Sequence, residues 1–362
     1  MPHIVVLGAG VIGLSSALRL QNSGHTVTIV ARDFPSGSET IDPQTQINYT
    51  SPWGGAHNRL VPPTTPSEER EHAMSLRTFE HMRAVQARYP EAGITFMKGI
   101  EYLEAPNDAY LALSEERAKT ELGMRGFRLL GKGELPEGVK WGCEYDTWCV
   151  NPMVYCAFLL RRIAILGGKV LRREVRDPRE IFAWSFEAGP VDVLVNASGI
   201  GFGDENVFIT RGQTCLVANP CTATVTRQNA DGSWTFCVPR NFDGGTIIGG
   251  TKEPNNWDPN PSAEVREALL RKFAATYPQI LGLDGKFTVM KDIVGRRPTR
   301  KGGIRLERET VGENKTIIHA YGLGGRGYEL SWGVAEGVAQ LLAEHLESST
   351  SWYNAQAGEA KL

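Results

Sequence analysis

Six residues, "GAGVIG" at positions 8–13, constrain this chain more than any other stretch. They follow "HIVVL", a short apolar run rich in β-branched residues, and lead into the apolar-periodic "LSSALRLQNSG". A second β-branched run, "TVTIV", closes with "ARD". Strand, glycine turn, helix and strand within roughly 30 residues make a βαβ unit, the context in which G-x-G-x-x-G acquires meaning. Gly8 permits the tight turn, Gly10 lets backbone approach a pyrophosphate, and Gly13 lets helix and strand pack closely. A helix beginning near Val11 and Ile12 would present free N–H groups and the positive end of its dipole to an anion. Where an acid ordinarily bonds the ribose, the corner reads Arg32-Asp33, with Asp33 offset by one. Arg32 alone would suit the 2′-phosphate of NADP, and the residues leave that alternative open.

Further on, "VDVLVNASGIG" (191–201) reads as a buried strand ending in small residues. Between these elements lies a mixed segment with a helix over 67–89. After 201 come the strand-like runs "QTCLVA", "WTFCVPR" and "GTIIGGT", then a helix over 262–278. The expected fold class is α/β (α+β overall): a Rossmann-like nucleotide-binding domain interrupted by a sheet-containing one. The expected division assigns 1–58, 146–204 and 288–350 to the first, 59–145 and 205–287 to the second, and 351–362 to a tail.

Charge excludes one function class. Lys and Arg number 39 against 41 Asp and Glu, a net of −2 without a basic block, so no electrostatic footprint for nucleic acid exists. No apolar run approaches membrane-spanning length, and no secretory signal opens the chain. The expectation is a soluble, intracellular protein. The six cysteines form no C-x-x-C pair; they read as buried thiols, with one Cys143–Cys149 bridge an open alternative. Sequons at Asn48, Asn196 and Asn314 carry little weight without secretion. "GFRLLGKG" (126–133) has P-loop spacing but ends in Gly133, where Ser or Thr must meet magnesium. No H-E-x-x-H or G-x-S-x-G occurs, the histidines are scattered, and no metal is expected.

"HAYGLGGRGYELSWGVAEGVAQLLAEHL" (319–346) reads as a strand end, a glycine loop and a long helix, a second helix N-terminus on permissive backbone. "DIVGRRPTR" (292–300) carries three arginines within five positions. Strand alternation sends Arg296 and Arg297 to opposite faces, with Arg300 beyond Pro298 towards solvent.

Together, "VVLGAGVIGLSSALRL", "TSPWGGA", "VNASGIG", "RGQT", "VPR", "IIGGT", "VGRRPTR…GGIRLERE" and "HAYGLGGRGYELSWG" resemble, in order and over nearly the whole chain, the D-amino acid oxidases, fungal members above all. D-aspartate oxidases are close relatives. The resemblance implies non-covalently bound FAD in a Rossmann-like FAD-binding domain, which displaces NADP. Arg32 and Asp33 would then serve the AMP half. Thr50, Ser51, Gly55 and Ala56 would lie along pyrophosphate and flavin, with His57 following. Val175 would meet the adenine side through its backbone, with Ser198 continuing that wall. Gly324, Gly325, Gly327, Tyr328 and Glu329 would fall on the flavin-facing loop and helix start, Gly325 also at the catalytic centre.

The family holds the substrate carboxylate with the arginine before the proline of "VG-x-R-P", here Arg297. A planar fork orients a carboxylate better than lysine can. The implied reaction takes D-amino acid and O2 to imino acid, then 2-oxo acid and ammonia, with H2O2 released. Three departures stand out. Phe236 replaces the family's usual tyrosine and cannot donate a hydrogen bond. Lys252 follows "GGT" where fungal relatives often carry a large residue; it would favour acidic substrates, or be a surface lysine whose stem lines the pocket. Glu329 is a carboxylate beside a reducing flavin, either paired with Arg326 or turned away.

The leading expectation is a D-amino acid oxidase of neutral, apolar substrates, with D-aspartate oxidase and a non-catalytic flavin-binding protein as alternatives. The closing Ala360-Lys361-Leu362 resembles the peroxisomal address, which implies peroxisomal location and an import receptor as partner. The chain is expected as monomer or homodimer; the short "RETVGENKT" connection puts one known dimer mode in doubt.

Overall fold

The computed structural model describes residues 2–36, 47–312 and 315–359, with side chains through residue 348. Asn314 and Ala360-Lys361-Leu362 lie outside the described residues.

Two sheets organise the described chain. The first has six strands in the order Arg305–Gly312, Lys315–Tyr321, Val193–Asn196, His3–Leu7, Thr26–Ala31, Lys169–Arg172. All its ladders are parallel except the hairpin joining the first two. Every residue of His3–Leu7 is buried, as a central parallel strand requires. Period-2 alternation divides its side chains. Ile4 and Val6 pack with Leu14 and Leu18 of helix Val11–Asn22 and with Val334 and Val338 of helix Gly327–Glu359. Val5 and Leu7 pack on the opposite face with Ile181, Val191 and Leu194. Each such side chain, fully removed from water, contributes roughly 1.5–3 kcal/mol.

The second sheet has nine strands, antiparallel except where Ile94–Leu103 runs parallel to Ala223–Gln228. One face, with Val225, Cys237 and Ile248, packs on Leu269 and Phe273 of helix Ala263–Thr276. The Ser262 hydroxyl starts that helix by accepting from Val265 N at 3.2 Å. The other face carries Phe236, Val238, Ile247 and Ile293 against Trp53. It is this face that borders the candidate site.

The strand Val289–Arg300 belongs to the second sheet, although the sequence reading groups 288–350 with the nucleotide-binding part. It pairs with Val207–Val217 along almost its whole length, which satisfies a long run of backbone donors and acceptors that would otherwise be buried unpaired. Likewise Trp141–Val150 is one continuous strand across the expected 145/146 boundary. The Cys143–Cys149 bridge does not form: all six cysteines are free thiols. Both residues sit on that one extended strand six positions apart, far beyond the Cα separation of about 7 Å that a disulfide tolerates.

Candidate active site

The glycine turn is built by exclusion. Gly8 has φ of +110°, and a Cβ there would meet Ala197 O at 2.5 Å; one on Gly13 would lie 1.9 Å from Gly8 O. The helix can therefore settle on the two strands only with glycine at both places. Gly10 caps the helix without a side-chain bond, and the Ser51 hydroxyl accepts from Val11 N at 3.0 Å.

Above this turn opens a cavity of about 430 Å³, floored by Gly8, Gly10, Val11 and Ile12. Arg32 and Asp33 lie on its lining and pair with each other at 2.9 Å. Val175 and Ser198 line it also, and the Ser198 hydroxyl donates to Asn196 Oδ1 at 2.7 Å. Thr50, Ser51, Gly324 and Gly327 complete the predicted residues on the wall. Gly13 lies behind the turn. The donor set fits a dinucleotide: clear backbone at a helix N-terminus for the pyrophosphate and a carboxylate at the second strand's end for a ribose.

Two residues of this wall escaped the sequence reading. Arg296, which alternation sends away from Arg297, lines the cavity and lies over the Trp257 ring at 5.3 Å. Trp257 itself sits in a loop tied down by the buried Arg211, which pairs with Glu253 at 2.9 Å and donates to Asp258 O at 2.8 Å.

A second cavity, about 530 Å³, lies on the other side of the loop containing Phe202. Its charges are largely spent on one another: Arg305 pairs with Glu307 and Glu309, and His319 with Glu309. Arg300, expected towards solvent, pairs here with the half-buried Asp204 at 2.8 Å. Tyr321 also donates to that carboxylate, and these bonds hold the Asp204 pKa well below the carboxylate range.

Arg297 faces a different enclosure. Its Nη2 donates to Thr251 O at 2.9 Å, and it makes no salt bridge to any described residue. Partial burial lowers its pKa from the ordinary guanidinium value, with Glu253 opposing weakly. A Cβ at Gly325 would lie 3.9 Å from Nη1, and one at Gly212 only 2.5 Å from Nη2. Gly325 thus sits against the fork, and Gly212 is the space in which the fork fits.

Phe236 lies flat across the strand beside it, so close that a Cβ at Gly249 would meet its ring at 2.1 Å. Gly55 faces Phe236 and Val238. His57 stacks on Phe236 with centroids 6.4 Å apart; burial lowers its pKa to about 4, and Nδ1 has no partner. Ala56 takes a left-handed φ of +57° and passes its carbonyl to Val150 N. Arg240, from the "VPR" run, donates to Gly54 O at 2.8 Å and holds this loop in place.

Gly55, Ala56, His57, Gly325, Tyr328 and Glu329 are off the nucleotide cavity's lining. Tyr328 is a strut: its hydroxyl donates to Ser51 O at 2.8 Å and lies 3.1 Å from Cys156 Sγ. Glu329 is resolved as a pair, bonded to Arg326 Nε at 2.9 Å, while Arg326 also pairs with Glu71. Lys252 is exposed. It directly follows the residue whose carbonyl holds Arg297.

Residues 3–341 match the DAO family, described as FAD dependent oxidoreductase. The chain is 44% identical over 355 residues to a D-aspartate oxidase from Talaromyces thermophilus, covering 94% of this chain and 95% of that protein. It is 31% identical to a D-amino-acid oxidase from Fusarium vanettenii, covering 94% and 96%. In fold it is similar to glycine oxidase from Bacillus cereus ATCC 14579, with a TM-score of 0.71 at 16% identity over 95% of this chain and 96% of that one.

Proposed function

The chain belongs to the DAO family of FAD-dependent oxidoreductases, and from that premise we propose how its own residues carry out the oxidation of D-amino acids. The reaction takes D-amino acid, O2 and water to 2-oxo acid, ammonia and H2O2. FAD, held by the residues lining the nucleotide cavity, would supply the two-electron oxidant and the route by which those electrons reach O2. Everything else falls to the protein.

The observation that carries this reading is Arg297. A partly desolvated guanidinium without a carboxylate partner is costly to keep, and it is ready for an anion supplied from outside. One arm is engaged by Thr251 O, which fixes the plane of the fork; Gly325 leaves the other side open. A substrate carboxylate docked there is held in one orientation, and an amine bound neutral needs no dedicated base. Phe236, with Gly55 and Val238 beside it, gives a wall without hydrogen-bond donors that excludes water from the Cα–H bond. Arg326, shared between Glu329 and Glu71, offsets part of the carboxylate charge beside the start of helix Gly327–Glu359.

This apolar wall supports neutral side chains. A second reading, acidic D-amino acids, is favoured by the 44% identity to a D-aspartate oxidase. Two groups suit it: Lys252, one residue from the Arg297 anchor, and His57, whose buried Nδ1 awaits a partner. Oxygen uptake with D-methionine and D-aspartate separates the two. A dominant D-methionine rate supports the first; a dominant D-aspartate rate, reduced selectively by Lys252→Met, supports the second. Yellow protein that no D-amino acid bleaches under anaerobic conditions would overturn both.

A further inference from the structure

Among the six cysteines, two that are far apart in the chain meet. Cys237 Sγ lies 3.7 Å from Cys221 Sγ and donates to it. Cys237 is fully buried on the face of its strand that packs on helix Ala263–Thr276, whereas Cys221 is partly exposed in the connection leading to strand Ala223–Gln228. The two sulfurs also share the Ala223 carbonyl, at 3.2 and 3.6 Å.

We propose that Cys221 and Cys237 form a peroxide-sensitive dithiol, with Cys221 the attacking and Cys237 the resolving thiol. The assignment follows from access and hydrogen bonding. Only Cys221 is open to a solute, and the Cys237 S–H stabilises a thiolate on it, lowering its pKa, while burial pushes Cys237 well above the thiol range. Sensor cysteines combine thiolate character, access and an adjacent resolving thiol.

The oxidant is the enzyme's own product. The Cys221 thiolate attacks one oxygen of H2O2, the O–O bond breaks, and hydroxide leaves to become water, giving a sulfenic acid. Cys237 loses its proton and its sulfur attacks the sulfenic sulfur. The S–O bond breaks, hydroxide takes up that proton as water, and the S–S bond forms. In sum, two thiols and one H2O2 give one disulfide and two waters. The sulfurs must close from 3.7 Å to about 2.0 Å, a movement the connection holding Cys221 can supply.

The disulfide would tie strand Trp234–Pro239, which carries Phe236 on its other face, to the connection before Ala223. Turnover would therefore leave a covalent mark directly behind the substrate wall.

The holoenzyme is exposed to added H2O2 at a few-fold excess, then digested without reduction and analysed by mass. The expected result is a loss of 2 Da with a Cys221–Cys237 cross-linked peptide, absent in Cys221→Ser. Cys237→Ser should instead leave Cys221 as a sulfenic acid captured by dimedone. In a second arm, turnover with a D-amino acid should form the same cross-link, and catalase should prevent it. That arm rests on the oxidase reading, while added peroxide tests the dithiol alone. Two outcomes overturn the proposal: no cross-link with added peroxide, or sulfinic acid at Cys221 without cross-linking in the unmodified chain.

Discussion

Arg297 Nη2 donates a 2.9 Å hydrogen bond to the carbonyl of Thr251, 46 positions away, and pairs with no described carboxylate. One bond to the backbone fixes the guanidinium plane without cancelling its charge. The carboxylate-anchoring role proposed for this arginine is open to direct tests.

Arg297→Lys keeps a positive charge but removes the planar fork. We expect kcat/KM for the preferred D-amino acid to fall by at least about 100-fold, a loss of roughly 3 kcal/mol of transition-state stabilisation. The flavin absorbance spectrum should be unchanged. Oxygen-uptake kinetics with a spectrum of the same preparation check both parts.

Gly212→Ala places a methyl group 2.5 Å from Arg297 Nη2, inside van der Waals contact. The guanidinium must swing aside, so KM should rise roughly tenfold or more while FAD content stays near the unmodified level. Measuring KM and bound flavin together distinguishes this from general misfolding.

Gly13→Ala drives a Cβ to 1.9 Å from Gly8 O, where only backbone movement gives relief. The helix must lift from the strands and its N-terminus leaves the cavity floor. FAD affinity should fall by on the order of 100-fold or more, with destabilisation above about 2 kcal/mol. Titrating apoprotein with FAD by fluorescence, alongside a urea midpoint, tests both.

His81 stacks on Trp332 with ring centroids 3.5 Å apart, and burial lowers its pKa to about 3. The sign follows from proton counting. Below about pH 6.5 the unfolded chain binds a proton that the folded chain refuses until about pH 3, so stability falls as pH falls through that window. His81→Phe keeps the stack and removes the proton. Its urea midpoint should fall less steeply between pH 6.5 and pH 4 than that of the unmodified chain.

Much of the molecule is legible in its sequence. The glycine turn, the helices over 67–89 and 262–278, and the glycine loop before the C-terminal helix are visible because their causes are local. Glycine frees φ, Ser262 and Thr65 cap, and apolar period matches helix or strand. Alternation separates Arg296 from Arg297 for the same reason. Where Arg296 goes was not legible, since that depends on Trp257 arriving from a different loop. Arg300 turns away from solvent because its partner, Asp204, lies 96 positions away in sequence and meets it only in the fold. Nor could spacing show which cysteines meet: the near neighbours Cys143 and Cys149 stay apart on one strand, while Cys221 and Cys237 are brought together between strands.

The nucleotide-binding turn and the family are written along the chain, since a turn's sterics act within a few residues and the motifs follow one another in order. The surroundings of Arg297 and Glu329 arise only on folding. Strand pairing set Gly212 beneath Arg297, Thr251 against its fork and Arg326 on Glu329, and contacts between residues so distant in sequence exist only once backbone hydrogen bonding has brought the strands together.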